Sequence, residues 1–392
     1  MKKAYLILAD GSVFEGESIG AEGSTLGETV FTTGMTGYVE TLTDPSYFGQ
    51  IVTQSFPLIG NYGFISEDFE SKKSYVQGYI VREMCDYPSN FRCQGRLGDF
   101  LKNQGIVGIC GIDTRALVKK IREAGVMNGM IVSGDCPQVD EKLLEKIRAY
   151  KIVDAVKSVS GATEGLIEEG KAFPSLQPPR CSAAASATPS TGKPRNAPSS
   201  HSVALWDFGA KANIQRELEK RGCKVKVLPY SSTAEEILAL NPDGLMLSNG
   251  PGDPAENTKI IEELKKICDW NKKNDGKLPI FGICLGHQLL ALARGAKTTK
   301  LKYGHRGGNH PVKDLESGRV FITSQNHGYA VESDSLGQEA KESFVNVNDN
   351  TCEGVRYTDI PAFSVQFHPE ACGGPHDTNF LFDCFIDLME KN

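Results

Sequence analysis

The sequence predicts an α/β protein: a doubly wound, mainly parallel sheet in the C-terminal half, preceded by a smaller β-rich α+β domain. Three observations carry this. From Ser202 onward, short apolar runs alternate with helix-length patterns, the rhythm of a parallel sheet covered by helices. In the first ~155 residues the apolar runs are short and are separated by Gly and Pro. Between the two, from about Gly161 to Ser200, Ser, Ala, Pro and Gly dominate. The expected organisation is a first domain over 1–155, a linker over 156–202 that is low in complexity from about 178, and a second domain over 203–392.

In the first domain Ala4 to Leu8, Thr29 to Thr33 and Gln50 to Ser55 read as strands. Arg115 to Ala124 and Val139 to Tyr150 read as helices, and no catalytic cluster stands out there. In the linker, Pro178 to Ala187 holds almost no large apolar residue. Such a stretch cannot bury enough surface to offset its ordering entropy, so flexibility is expected at least over Pro178 to Ser200. In the second domain Val203 to Trp206, Lys224 to Leu228 and Leu245 to Leu247 are expected strands. Lys211 to Arg221 is an expected helix ended by Gly222, and Thr233 to Leu240 one entered through Ser232 as N-cap. A longer helix carries Ile260, Ile261, Leu264, Ile267 and Trp270 at helical spacing.

Composition narrows the classes of function. The 392 residues are enough for two cores, and 40% hydrophobic with 23% charged residues is ordinary for a globular protein. A net charge of −6 without a long basic run argues against nucleic acid as a partner. No apolar run approaches the ~18 uncharged residues a membrane span needs. The start, basic and then apolar, is cut short at Asp10 and lacks a small-residue cleavage site, so it reads as a first strand and not a signal peptide. The 11 cysteines are scattered and show no metal-ligand spacing. That pattern fits a reducing, cytoplasmic setting with most thiols acting as small buried hydrophobes, and no metal is expected.

The chemistry concentrates in four places. In Leu278 to Leu290 an apolar strand runs into Cys284, a helical pattern follows at once, and Gly282 and Gly286 flank the cysteine. A lone cysteine is usually a buried core residue. Two flanking glycines and a strand-to-helix switch point instead to a nucleophile elbow, a crowded turn that needs small neighbours. The thiol then sits at a helix N-terminus, where the dipole favours thiolate, and the Leu285 N–H is free to face a developing oxyanion. His368 follows the alternating run Ala362 to Phe367 and precedes Pro369 and Glu370; it is the expected base, with Glu370 as its orienter. Ser248 to Pro254 follows a strand and resembles half of a dinucleotide fingerprint, but the third glycine is missing. It reads better as a loop bringing backbone N–H groups close to a substrate. Thr323 to Tyr329 is expected to be a polar loop after a strand at Arg319 to Ile322.

In this order the four pieces resemble the class I (triad) glutamine amidotransferases, and more closely the carbamoyl phosphate synthetase small-subunit family. Gly282 to Gln288 and His368-Pro369-Glu370 match the superfamily's motifs. Ser248 to Pro254, Asn326 to Tyr329, Phe31 to Tyr38, Thr43 to Tyr47 and Gly111 to Arg115 match the narrower family. The resemblance covers nearly all the chain except about 160–202, which is longer and simpler than the family pattern. Tyr329 stands where phenylalanine is commoner, and Cys372-Gly373 replaces a Ser-Pro pair.

The resemblance implies the class I amidotransferase fold for the second domain. It implies that Cys284 forms a γ-glutamyl thioester, with His368 as acid and base and Glu370 orienting it. It implies an oxyanion hole from Gly252 and Leu285, and glutamine contacts from Ser46, Gly250, Gly252, Leu285, Gln288, Asn326, Gly328 and Tyr329. His287 is expected to be structural, His327 to tune the pocket, and His305, His310 and His376 to be surface or supporting residues. No cofactor is implied in this chain; a large synthetase subunit is the implied partner, using ATP and Mg to make carbamoyl phosphate. A glutaminase subunit of another synthase, a stand-alone γ-glutamyl cysteine hydrolase and a silent scaffold are the alternatives. The size and motifs of Met1 to Tyr150 weigh against the first, and the complete triad against the last.

The linker composition yields a direct expectation. Limited proteolysis of the whole chain nicks it first within Pro178 to Ser200 and leaves two compact fragments on a gel. Earliest stable cuts inside 203–392 would place the boundary elsewhere.

Overall fold

The structure is a computed structural model and describes residues 2–166 and 201–391. The first domain runs β1 (Lys3–Leu8), β2 (Val13–Gly20), β3 (Ser24–Thr32), α1 (Tyr38–Thr43), β4 (Gln50–Gln54), β5 (Leu58–Ile59), β6 (Gly78–Ile80) and β7 (Glu83–Met84). It continues through α2 (Leu97–Asn103), β8 (Val107–Cys110), α3 (Thr114–Ala124), β9 (Met127–Ser133) and α4 (Glu141–Arg148). Strands β1, β2, β8, β6, β4, β3 and β9 close in that order into a barrel. Closure leaves no open sheet edge, so short strands suffice. Leu6, Ile51, Ile80, Ile109 and Ile131 fill one core of this domain; Tyr38, Leu42, Tyr47 and Phe100 belong to another. Asp113 and Asp140 start α3 and α4 by accepting from Ala116 N and Leu143 N, each at 2.9 Å.

After α5 (Ala155–Val159), the second domain runs β10 (Ser202–Asp207), α6 (Ala212–Lys220), β11 (Lys224–Pro229), α7 (Ala234–Ala239), β12 (Gly244–Leu247) and α8 (Thr258–Lys273). It continues as β13 (Ile280–Ile283), α9 (Leu285–Ala293), β14 (Thr298–Asp314), β15 (Val320–Val331), β16 (Ala340–Asn346), β17 (Cys352–Tyr357), β18 (Ala362–Val365) and α10 (Leu381–Lys391). The sheet order is β11-β10-β12-β13-β18-β17-β16-β14-β15. Pairing is parallel from β11 through β18 and antiparallel beyond. β12 and β13 are buried throughout, because helices cover both faces. Trp206, Phe208, Leu264 and Leu289 pack one face; Ile214, Phe281, Phe382 and Phe385 pack the other.

Three expectations change. The N-cap of α7 is Thr233, not Ser232: Thr233 Oγ1 accepts from Glu236 N at 3.2 Å and Glu236 Oε2 accepts from Thr233 N at 2.8 Å. Glu at the third helical position selects Thr233 through this reciprocal capping, while Ser232 N closes a turn onto Pro229 O. Thr323 to Tyr329 is not a loop but the middle of β15, paired with β14 across two register shifts. Its polar side chains bond to one another, to His310 O and, through Asn326, to Asp44 of the first domain, so apolar alternation is absent without the strand being lost. The start of the expected linker is packed: Val156, Val159 and Ala162 are buried, and Gly161 N donates to Asp207 Oδ2 at 2.6 Å. Lys72 N donates to Ala162 O at 2.9 Å, so this stretch touches both domains. Pro178 to Ser200 lies outside the described residues.

The joint between the domains is polar and buried. Asn249 Nδ2 donates to Ser46 Oγ at 2.9 Å, Asn326 Nδ2 to Asp44 Oδ2 at 3.1 Å, and Asn213 N to Glu70 Oε2 at 3.0 Å. Lys211, 7% exposed, lies 3.0 Å from Glu370 and 3.9 Å from Asp44. Burial would remove its charge, but Glu370, Asp44 and Glu70 together raise its pKa. Burial likewise pushes the Glu370 carboxyl up, and Lys211 and then His368 override this and hold it at about 2.

Removing one partner of a buried ion pair strands the other, at a cost of about 3–5 kcal/mol. Lys211→Met therefore lowers unfolding stability at pH 7 by about 3 kcal/mol. Glu370 is depressed in the folded chain, so its contribution is full above its ordinary value of 4.5 and is lost as pH falls toward about 2. The deficit of the variant should be largest above about pH 5 and shrink below 4.5 in urea melts. A deficit that stays constant from pH 7 to pH 3 would contradict the assignment.

Candidate active site

Cys284 ends β13 and begins α9 with φ 52° and ψ −103°. This is a strained backbone for a residue with a side chain. Close contacts explain the two glycines beside it. A Cβ on Gly286 would meet Leu247 O at 2.4 Å, and one on Gly282 would meet the Gly286 carbonyl at 2.9 Å. Cys284 N donates to Val365 O at 2.8 Å and Gly286 N to Ser248 O at 3.0 Å, tying the elbow to β18 and β12. The thiol points at Asn326 O, 3.7 Å away. The Leu285 N–H opens the helix and has no intrahelical acceptor.

His368 and Glu370 follow β18. His368 N donates to Ser324 O at 2.9 Å, and Nδ1 lies 2.7 Å from Glu370 Oε1. Both side chains are almost fully buried. Burial and Lys211 favour the neutral ring; Glu370 and Cys284 outweigh them and raise the His368 pKa to about 9. His368 Nε2 has no hydrogen-bond partner among the described residues, although it is buried. The arrangement is a thiol, an imidazole whose far nitrogen is pinned by a carboxylate, and a lysine fixing that carboxylate. It suits nucleophilic attack coupled to proton transfer.

Two cavities flank this group. One, about 450 Å³, is lined by Ser46, Gly250, Gly252, Cys284, Gln288, Asn326, Gly328 and Tyr329. The other, about 410 Å³, is lined by Asp44, Glu40, Lys211, Asn326, His368 and Gly374 among others. Asn326 borders both. Of the residues expected to contact glutamine, only Leu285 does not line the first cavity; its side chain backs Gly250, whose Cβ would lie 2.7 Å from Leu285 Cδ2. Gln288 Nε2 donates to Tyr329 O and to Gln366 Oε1, each at 2.8 Å. Gly252 has φ 90°, which only glycine adopts easily.

His287 is fully buried against Ser364 Oγ at 2.9 Å, and burial drives its pKa down to about 3. It lines neither cavity. His327 lines the larger one and is held by Tyr329 O and Gln325 Oε1. His305 is not a surface residue. It is buried 2.8 Å from Asp349 and 3.5 Å from Glu353. Burial disfavours its charge, but these carboxylates raise its pKa to about 9. His305, His327 and Glu353 bring ligand-type atoms within 4.8 Å of one another. His310 is half-buried and His376 exposed. Sequence reasoning missed Lys211, Asp44, Asn249 and Arg306. Asp44 and Asn249 lie inside motifs already singled out but were given no role of their own, and no local motif marks Lys211 or Arg306; all four matter because folding brings distant segments together.

Comparison with known proteins places the chain in a family. The family description "Carbamoyl-phosphate synthase small chain, CPSase domain" matches residues 6–131, and "Glutamine amidotransferase class-I" matches residues 204–388. The carbamoyl phosphate synthase small chain of Listeria monocytogenes serotype 4b is 50% identical over 99% of this chain and 97% of its own. That of Syntrophotalea carbinolica is 50% identical over 100% of this chain and 98% of its own. A solved glutamine amidotransferase from Thermotoga maritima matches at 20% identity and TM-score 0.36, over 49% of this chain and 84% of its own. With half its residues shared across essentially its whole length, the chain belongs to the carbamoyl phosphate synthase small-chain family.

Proposed function

We propose that this chain hydrolyses glutamine through Cys284, His368 and Glu370 and passes ammonia to a large synthetase subunit. The observation that carries the reading is the strained Cys284 elbow opening into a cavity, beside a buried imidazole pinned by Glu370. Cys284 passes its thiol proton to His368, Sγ attacks the glutamine Cδ, and the carbonyl oxygen becomes an oxyanion facing the N–H groups of Leu285 and Gly252. Collapse breaks the C–N bond; His368 gives its proton to the leaving nitrogen, which departs as ammonia and leaves a thioester. Water then attacks the same carbon, His368 takes its proton, and the thiol and glutamate are released. Glu370 holds His368 in the required tautomer, and Lys211 fixes Glu370. Ser46, Gly250, Gly252, Gln288, Asn326, Gly328 and Tyr329 hold the glutamine, with Leu285 supporting the loop behind it.

The chain supplies no ATP chemistry in this reading; the large partner carries ATP, Mg and bicarbonate and forms carbamoyl phosphate. The family's name supports that partner. No helix among the described residues is long and apolar enough to cross a membrane.

Cys284 is needed only to release ammonia. In the complex with the large subunit, Cys284→Ser abolishes glutamine-dependent carbamoyl phosphate formation by at least about 10³-fold, while ammonium-dependent formation survives. His368→Asn shows the same split, and Glu370→Ala a milder one. Both nitrogen sources are assayed on the same preparation. Equal loss with both would make Cys284 a residue of the fold or the interface.

A further inference from the structure

Gly252, whose N–H faces the oxyanion in the reaction above, stands in a wall one loop thick. Pro251, Gly252, Asp253 and Glu256 line the glutamine cavity on one side. The same residues line a further cavity of about 510 Å³, bordered also by α5, the turn at 230–232 and the start of α8. The Gly252 N–H donates to no acceptor among the described residues. Its φ of 90° belongs to a residue with little steric restraint of its own. A loop with space on both faces and no hydrogen bond at its working donor needs something to fix where that donor points.

Ala155, the first residue of α5, occupies that place. A Cβ on Gly252 would meet the Ala155 Cβ at 2.8 Å and, its own chain neighbours aside, no other heavy atom within 4 Å. Val159, one turn further along α5, backs the loop a second time through Gly209. A Cβ on Gly209 would meet Val159 Cγ2 at 2.6 Å and Pro251 Cδ at 3.2 Å. The short helix is firmly held. Ser160 Oγ donates to Asp207 O at 3.0 Å and Gly161 N to Asp207 Oδ2 at 2.6 Å. Asp207 Oδ1 in turn accepts from Gly209 N at 2.8 Å and Ala210 N at 2.7 Å, so one carboxylate ties α5 to the turn it presses on. Val156 packs in the core that holds Trp206 and Phe208, and Val159 packs with Tyr75 and Phe48 of the first domain. The Ala155 methyl is therefore mounted on both domains.

We propose that Ala155 is a positioning residue for the oxyanion hole: its methyl stops Gly252 from backing into the rear cavity and keeps the Gly252 N–H aimed at the glutamine carbonyl oxygen. This rests on the glutaminase reading. An oxyanion donor acts most strongly once negative charge has formed, so misplacing it lowers kcat and leaves substrate binding nearly intact. Ala155 lines the rear cavity and not the glutamine cavity, so the reactivity of the Cys284 thiol does not depend on it.

The test measures glutamine hydrolysis by the full chain in complex with its large subunit. Ala155→Gly removes the stop and should lower kcat about 10-fold with KM within about threefold. Ala155→Ser keeps the Cβ and should keep kcat within about threefold of the unsubstituted complex. Alkylation by iodoacetamide, followed on the peptide bearing Cys284, supplies a readout that a loosened fold would move. That displacement needs the thiolate but builds no oxyanion, so its rate should stay within about twofold in both variants. Parallel changes in hydrolysis and alkylation would show that Ala155 supports the fold of the site. Unchanged kcat in Ala155→Gly would show that Gly252 needs no stop, and an equal fall in Ala155→Ser would show that the Cβ is not what acts. A rise in KM with kcat unchanged would make Ala155 a residue of substrate binding. Each of these overturns the proposal. Failure of the unsubstituted complex to hydrolyse glutamine would instead overturn the glutaminase reading beneath it, and the stop with it.

Discussion

Two glycines decide where the Cys284 thiol can be. Gly286 lets the start of α9 press against Leu247 O, and Gly282 lets the end of β13 press against Gly286. Only with both contacts can Cys284 hold φ 52° and ψ −103°. That backbone aims the thiol toward Asn326 O, and the Leu285 N–H that opens the following helix has no intrahelical acceptor. His368, placed by the end of β18 and the Ser324 carbonyl, and the Gly250–Gly252 loop complete the site around this turn. The strain is confined by hydrogen bonds to Val365 and Ser248, so the sheet itself holds the elbow in place.

The site is shared between domains that look unequal in sequence. The second domain contributes the thiol, base and orienter. The first contributes Ser46 and Asp44, and both reach polar side chains of the second through buried hydrogen bonds. Lys211 joins the two by lying between Glu370 and Asp44. A change in how the first domain is held therefore reaches the imidazole through a single ion network. The short α5 segment adds a further link, since it packs on the Asp207 turn and also hydrogen-bonds to Lys72.

Local patterns were readable from the sequence wherever one segment carries its own cause. The parallel strands show as continuous apolar runs, the elbow as Gly-x-Cys-x-Gly, and the base and orienter as His-Pro-Glu. What could not be read depends on neighbours distant in sequence. Thr323 to Tyr329 looked like a loop because a polar strand has no apolar alternation, yet β14 and the first domain complete it. Val156 to Ala162 looked like linker, yet its buried residues pack against both domains. His305 carried no sign of its burial, since Asp349 and Glu353, which keep it charged, arrive from another turn and strand. Lys211 and Arg306 look like ordinary surface cations until the fold buries them.

The central claim is that Cys284 carries the glutamyl group during turnover. Rapid acid quenching of the complex while it consumes glutamine, followed by peptide mass analysis, tests it most directly. One γ-glutamyl adduct is expected, on the peptide bearing Cys284 and removable by hydroxylamine. An adduct on Cys268, Cys352 or Cys372, or rapid turnover with no adduct on any thiol and normal recovery of a synthetic thioester control, would contradict it.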